Sequence, residues 1–402
     1  METTTEKASL KIKNYLEYLI YQALKEDLPI AVWKKPKHKL VEIIIDDQPH
    51  RNESSTDLDA LPPGFIIHPF SQSGNRKGTF IKAAKYFSFE LDQESIAMDD
   101  LLETAEGPYP SYQVKSLIKE KIFAKDRGLN QKSSEKKAFL EMVKLAIQAV
   151  KAGEMYKVVP AKVKKTQLDP NFDLAQTFIQ LCEAYPNGFV NFFHTPRTGF
   201  WLGSSPETLI KTKGDQFYTM SLAGTQKAKG NNPQKNAAWT QKEIEEQALV
   251  SRYIVNCFKK IRLREYEEIG PKTTIAGGLL HLKSEFLVDM KATNFPQLGT
   301  VMLDLLHPTS AICGMPKETA LAFIKAHEPF DRSYFSGFIG PVNMGGETDI
   351  FVNLRCAKLE GGKAWLYAGA GITEDSVPEK EWEETELKCK IIGNFIHSKK
   401  RP

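Results

Sequence analysis

Between residues 189 and 222 three strand-like segments, FVNFFH, GFWLGSS and QFYTMSL, follow one another with no helical segment between them. Strands joined by short connections pair as antiparallel neighbours, because a parallel pair needs a crossover of about a dozen residues or more. Most of the other predicted elements also come in groups. Apolar, β-branched runs at Ile30–Trp33 and Leu40–Ile45, then Gly64–Phe70 and Thr79–Phe89, read as strands. YKVVPAKVKK is another strand, and Asp349–Leu359 and Ala364–Ala370 follow near the end. Grouped strands and helices predict α+β layers. There is no βαβ relay and no GxGxxG loop for a dinucleotide.

Helices are read from spacing. Leu10, Ile12, Tyr15, Leu16, Leu19, Ile20 and Ala23 form one apolar face over residues 9–25. Phe139, Met142, Val143, Ala146, Ile147 and Val150 form another in a helix from Ser134, which Gly153 ends. Further helices are predicted at Leu174–Ala184, Trp239–Ile261, Lys317–Ala326 and Pro378–Ile396. Residues 102–133 are mixed and polar and read as a connection, and no element is predicted between Ile261 and Lys317.

Composition narrows the function classes. The 402 residues are 41% hydrophobic and 26% charged, with Lys+Arg 54 against Asp+Glu 50, a formal charge of +4. That length alone suggests two or three domains at roughly 150 residues each. A nearly neutral chain gives no reason to expect nucleic acid or an anionic membrane as partner. Cys182, Cys257, Cys313, Cys356 and Cys389 lack CxxC or His-x-His spacing, which argues against structural zinc. Five scattered cysteines read as reduced thiols of a cytoplasmic protein. No basic-then-apolar leader pattern opens METTTEKASLKIKNY, and no apolar run approaches a membrane span.

Several short motifs carry chemistry, each with an ordinary structural alternative. Glu384 and Lys388 in EWEETELKCK, and Glu243 and Glu246 in KEIEEQ, share helix faces, as solvated pairs commonly do. YAGAGI offers small residues at a strand end, either to let backbone N–H groups approach an anion or to make a tight turn. Glu207 in SSPETL either projects from a strand end into a cleft or sits as a carboxylate at a helix start.

In order along the chain, KVVPAKV, GFWLGSSPETL, SLAGTQ, KEIEEQALV, LLHPTSAICGMPKETALAFIKAHEPFDRSYFSGFIG, FVNLRCAKL, YAGAGI and EWEETELK resemble the chorismate-utilising enzymes. The resemblance covers roughly residues 150–395, about 60% of the chain. It implies a single α+β fold: two large antiparallel sheets sandwiched with helices around a central polar cleft. Residues 1–110 would be an N-terminal α+β portion integrated into that fold, and residues 111–402 the catalytic core.

The resemblance also implies a substrate and a site. Glu246 and Glu384 match the family's Mg²⁺-binding carboxylates, with Glu243 and Glu381 as outer partners. Arg355, Lys388 and Gly369 match groups that bind the carboxylates of chorismate, Gly224 and Thr225 line the opposite wall, and His307 faces the ring. Phe335 matches a position that holds the ring. Members differ by nucleophile. Lysine at Lys157 replaces the glutamine of ammonia-using members, and Ala223 replaces the lysine that forms a covalent adduct in another branch. Lys157 as base on water and Glu207 as acid therefore imply isochorismate as product, with no glutaminase partner. LLHPTSAICG lacks the phenylalanine variant of the branch that proceeds to salicylate, which remains the enzymatic alternative. A binding protein without catalysis is the other. Two departures stand out. Gln247 replaces a usual histidine, and Pro160 replaces a usual leucine and implies an edge or bulge near Lys157.

Overall fold

The structure is a computed structural model that describes residues 9–49, 55–71, 78–97, 111–124, 134–228, 230–276 and 278–396. Strand β1 (Ser9–Lys11) runs into α1 (Ile12–Lys25), whose Leu16, Leu19, Ile20, Ala23 and Leu24 are buried along one face. Next come β2 (Ile30–Lys34), β3 (Leu40–Ile45), β4 (Gly64–His68), β5 (Thr79–Lys82), β6 (Lys85–Glu90) and β7 (Ser95–Ala97). Helices α2 (Ser111–Phe123) and α3 (Lys136–Lys151) precede β8 (Lys157–Val158) and β9 (Ala161–Gln167). Helix α4 (Leu174–Ala184) starts where the Asp173 carboxylate accepts the Gln176 N–H at 2.9 Å, an N-cap.

Four strands then run consecutively: β10 (Phe189–Thr195), β11 (Gly199–Ser205), β12 (Thr208–Lys213) and β13 (Gln216–Lys227). Helix α5 (Gln241–Lys260), β14 (Glu267–Ala276), β15 (Leu279–Asp289) and α6 (Leu298–Leu306) follow. The chain ends with β16 (Gly314–Met315), α7 (Lys317–His327), β17 (Phe338–Val342), β18 (Glu347–Val352), β19 (Cys356–Glu360), β20 (Lys363–Gly369) and α8 (Pro378–Ile396).

Two eight-stranded sheets result, in the orders β6-β3-β2-β10-β11-β19-β20-β9 and β14-β15-β13-β12-β18-β17-β4-β5, and neighbouring strands pair antiparallel. Side-chain alternation sends each strand's residues to two different cores. Trp33, Phe193, Trp201 and Trp365 of the first sheet meet Phe65, Ile67, Ile339 and Phe351 of the second in a layer between the sheets. Val32, Val190, Phe192 and Leu202 face the opposite way, toward α1, α4 and α8. Ile210, Phe217, Phe286 and Ile350 of the second sheet pack outward against α3, α5 and α6. The layers are therefore helices, sheet, sheet, helices. Strands β2, β3 and β6 enter the first sheet and β4 and β5 the second, so chain before residue 98 shares both sheets with the rest. The 110/111 boundary falls at the end of residues 98–110, which lie outside the described residues.

Three predicted strands are each two strands. Thr79–Phe89 divides into β5 and β6, and Asp349–Leu359 into β18 and β19, each pair split between the two sheets. YKVVPAKVKK divides at Pro160 into β8, which pairs with β16 and bridges to Ile372, and β9, the edge of the first sheet. Buried residues flank the breaks at Pro160 and at residues 353–355, so the apolar pattern runs on while the chain leaves one sheet for another, whereas the β5–β6 break is exposed at residues 84–86. Residues 102–133 contain α2, while 102–110 and 125–133 lie outside the described residues.

Candidate active site

Two sheet crossings lie side by side and build the centre of the cleft. One is Pro206–Glu207, between β11 and β12, and the other is Asn353–Arg355, between β18 and β19. Ser204 N–H donates to Arg355 O (3.1 Å), Val352 N–H to Glu207 O (3.1 Å) and Ser205 Oγ to Val352 O (2.5 Å). Arg355 holds φ +48, a left-handed conformation that a non-glycine residue adopts at a cost and that is frequent at functional sites. Both side chains turn into a cleft that is partly open to solvent.

Glu207 is buried, and burial pushes its carboxyl up to about 7 although Lys157, Arg355 and Lys388 pull it down. Arg355 is pushed down to about 10 by burial, against the carboxylates of Glu384 and Glu207, and stays charged at neutral pH. Its Nε has no protein partner among the described residues. From α8, Glu384 and Lys388 also line the cleft, and Lys388 Nζ contacts Glu384 Oε1 at 2.6 Å and Gly369 O at 2.8 Å. Glu246 enters from α5. Its carboxylate is held low by Lys157, Lys242 and Lys388, which outweigh the opposing effect of burial. Lys157, fully buried on β8, places Nζ 2.8 Å from Glu246 Oε1. It stands directly behind Glu246, which is the wall residue.

The opposite wall comes from β13. A register shift between Ala223 and Gln226 bulges this strand, and Gly224 takes φ +67 within the bulge. Ala223, Gly224, Thr225, Phe335 and Gly369 all line the cleft, with the Phe335 ring stacked on Tyr367. Of the site residues expected from the sequence, all but two line the cleft: Lys157 stands one residue behind the lining, against Glu246, and His307 lies elsewhere. His307 is absent from the lining. It ends α6, packs against His68 and Phe338, and places Nε2 3.3 Å from Pro69 O. Burial and the neighbouring His68 push it down to about 3, so it is neutral.

The histidine in the cleft is His281, on β15, where no element was predicted. Its Nδ1 lies 2.5 Å from the Gly224 carbonyl, so Nδ1 carries the proton and Nε2 is an acceptor. Burial and Arg355 push it down to about 3, and Nε2 has no protein partner among the described residues. The alternation of Leu280, Leu282, Ser284, Phe286 and Val288 was the available signal for this strand. Glu243 also departs from expectation. Its carboxylate accepts from Thr240 N–H at 2.8 Å and from Gln226 Nε2 at 3.0 Å, so it caps α5. Gln247 turns away from the carboxylates and donates to Ser221 Oγ (2.7 Å) and Ser284 Oγ (3.2 Å), fastening α5 to the sheet.

The family model for "Chorismate binding enzyme" matches residues 77–397. The chain belongs to this family. It is 29% identical over 285 residues to isochorismate synthase EntC of Escherichia coli (strain K12), covering 68% of this chain and 72% of that protein. Isochorismate synthase MenF of Bacillus subtilis (strain 168) is 27% identical over 344 residues, 84% of this chain and 70% of that protein. The solved structure of MenF, the menaquinone-specific isochorismate synthase from Escherichia coli, superposes with TM-score 0.68 at 21% identity, over 92% of this chain and 89% of that chain. This likeness shows the fold.

In this chorismate-binding enzyme the carboxylates at the cleft are the candidate donors for a divalent cation. Among the described residues no group of three or more His, Cys, Asp or Glu side chains forms a preorganised metal cluster. Glu246 and Glu384 nevertheless face one cleft. Burial raises Glu381, and the charges of Glu384 and Glu246 raise it further, against Lys242, which binds Glu381 Oε1 at 2.5 Å. Clustered carboxylate oxygens that repel one another suit a hard cation that takes one or two protein carboxylates and completes its shell from substrate and water.

Gly371 sets the tolerance of this arrangement. A Cβ there would stand 2.3 Å from Glu246 Oε1 and 2.9 Å from Lys157 Cε. Gly371→Ala is expected to part the Lys157–Glu246 pair and to lower kcat by about 10-fold or more while the protein stays folded. Steady-state assays beside a thermal melt check this.

Proposed function

We propose that the chain is an isochorismate synthase, an isomerase that converts chorismate to isochorismate. The observation that carries this reading is a buried, protonatable Glu207 in the same cleft as Arg355 and Lys388, with the Lys157–Glu246 pair at its wall. Arg355 and Lys388 provide cations for the carboxylates of chorismate. Gly224, Thr225 and Phe335 shape the ring's place, and His281 Nε2 offers an acceptor to a ring hydroxyl.

The chemistry balances without a redox partner. A water oxygen bonds to C2, the two ring double bonds shift in turn (C1=C2 to C1=C6, C5=C6 to C4=C5), and the C4–O bond breaks. Lys157 takes the proton from the attacking water. Glu207 gives its proton to the departing C4 hydroxyl, which leaves as water. Only a neutral amine accepts a proton, so the amine form of Lys157 is the one that acts as base. Mg²⁺, held by Glu246 and Glu384, would neutralise a substrate carboxylate and fix its position.

Incubation with chorismate and Mg²⁺ is the test. The expected product becomes salicylate only after an isochorismate–pyruvate lyase is added. Direct salicylate fluorescence would establish the salicylate-forming reading, and chorismate bound but unchanged would establish a binding protein. Glu246→Gln and Glu384→Gln are each expected to raise the Mg²⁺ concentration for half-maximal rate by about 10-fold or more. An unchanged metal titration counts against them as ligands.

A further inference from the structure

We propose that Arg332, braced by Glu328, is the positioning residue for Lys157; the inference rests on the functional reading above. Lys157 belongs to a strand of only two residues. Strand β8 pairs with the equally short β16, Lys157 opposite Met315 and Val158 opposite Gly314. Two residues beyond Val158 stands Pro160, which has no N–H to continue a ladder. Val158 also exchanges backbone hydrogen bonds with Ile372 (3.2 and 2.8 Å), so the backbone that carries Lys157 is held up to Val158 and the ladder is interrupted at Pro160.

A buried pair takes over at that gap. Arg332 Nη2 donates to Val159 O at 2.6 Å, and Nη1 donates to Ile312 O at 2.8 Å. Ile312 adjoins Cys313, whose carbonyl accepts the Val159 N–H at 2.8 Å, so one guanidinium ties the segment that follows β8 to the segment that precedes β16. Glu328 Oε1 accepts the Ala161 N–H at 2.7 Å and binds Arg332 Nη2 at 2.5 Å, while Oε2 accepts from Arg332 Nε at 2.9 Å. The pair therefore grips the backbone on both sides of Pro160.

Arg332 also lines the cleft, yet Nε, Nη1 and Nη2 each already donate to a protein acceptor. Its guanidinium also stacks 4.3 Å from the centre of the Phe70 ring. Planar fork geometry is what lets a single side chain reach two carbonyls and a carboxylate at once, and lysine cannot reproduce it. A misplacement of about 1 Å at a catalytic group costs on the order of 100-fold in rate. That is the scale at which this clamp acts.

Arg332→Gln, Arg332→Lys and Glu328→Gln test the assignment. Arg332→Gln is expected to lower kcat by about 10- to 100-fold with KM for chorismate within about 3-fold of the parent. Arg332→Lys and Glu328→Gln should fall between, and they carry the test if Arg332→Gln does not fold. A crystal structure of the variant gives a readout independent of turnover: Lys157 Nζ should leave hydrogen-bond distance of Glu246. Parent-like kcat with the Lys157–Glu246 contact intact overturns the proposal. So does a large rise in KM at unchanged kcat, which would make Arg332 a substrate ligand. If the parent itself leaves chorismate unchanged, the functional reading fails, and the Lys157–Glu246 distance decides the positioning role alone.

Discussion

Lys157→Ala binds chorismate nearly as tightly as the parent and turns it over about 10²–10⁴-fold more slowly. The reason is where the side chain sits. Lys157 is fully buried behind the wall, while the groups that meet the substrate's carboxylates, Arg355 and Lys388, come from other elements and line the cleft directly. Deleting the lysine leaves Glu246 without its 2.8 Å partner, but Lys242 and Lys388 still stabilise that carboxylate. Breaking a buried pair costs roughly 3–5 kcal/mol, a cost that a large core can absorb. Lys157→Arg separates charge from chemistry, since a guanidinium keeps the positive charge and does not deprotonate. It should be nearly as inactive as the alanine variant. Calorimetric binding of chorismate beside single-turnover rates provides the check. Turnover within about 10-fold of the parent would remove Lys157 as the base.

Glu207→Gln should cost a similar factor in rate, and Glu207 also predicts a pH dependence of definite sign. As the acid it must carry its proton. With its carboxyl pushed up to about 7 by burial, kcat/KM falls as pH rises through about 7. The stability effect has the same origin. Above its ordinary 4.5 the unfolded chain releases this proton while the native state keeps it until about 7. Stability therefore declines between those two values, by on the order of 3 kcal/mol at most. Glutamine does not titrate, so Glu207→Gln should gain stability relative to the parent on moving from pH 5 to pH 8. Urea unfolding at the two pH values measures it. An equal difference at both would mean that Glu207 ionises as an exposed carboxylate does.

Much of the site was legible because its residues lie in short motifs with distinct neighbours. Glu384 and Lys388 are one helical turn apart on α8, and any fold that forms this helix puts them on one face. The Gly and Ala residues of YAGAGI were expected near an anion or a tight turn, and the Gly371 position explains the need for a small residue through its closeness to Glu246 and Lys157. The two histidines were not separable in this way. His307 stands beside a recognisable motif, yet its ring is used in packing; His281 lies on an unread strand and reaches the cleft because a bulge at Gly224 presents a carbonyl to it. Pro160 did announce an irregularity. What repairs it, the Glu328–Arg332 pair, is 168 and more residues away along the chain and carries no local signal.

The sequence by itself determined the layered class and many of the elements, since consecutive strands such as β10 and β11 have little choice but to pair antiparallel, while β14, β15, α2 and α6 went unread. It also determined the family, through motifs whose order survives divergence. Tertiary structure alone decided where the strands change sheet. At Glu207 and Arg355 the apolar pattern continues on both sides while the chain crosses between sheets, because strands buried on both faces look alike in either sheet. Those crossings bring an acid and a cation from distant segments into one cleft. Burial there, which no residue's local sequence encodes, pushes Glu207 into the range where it can hold and release a proton near neutral pH.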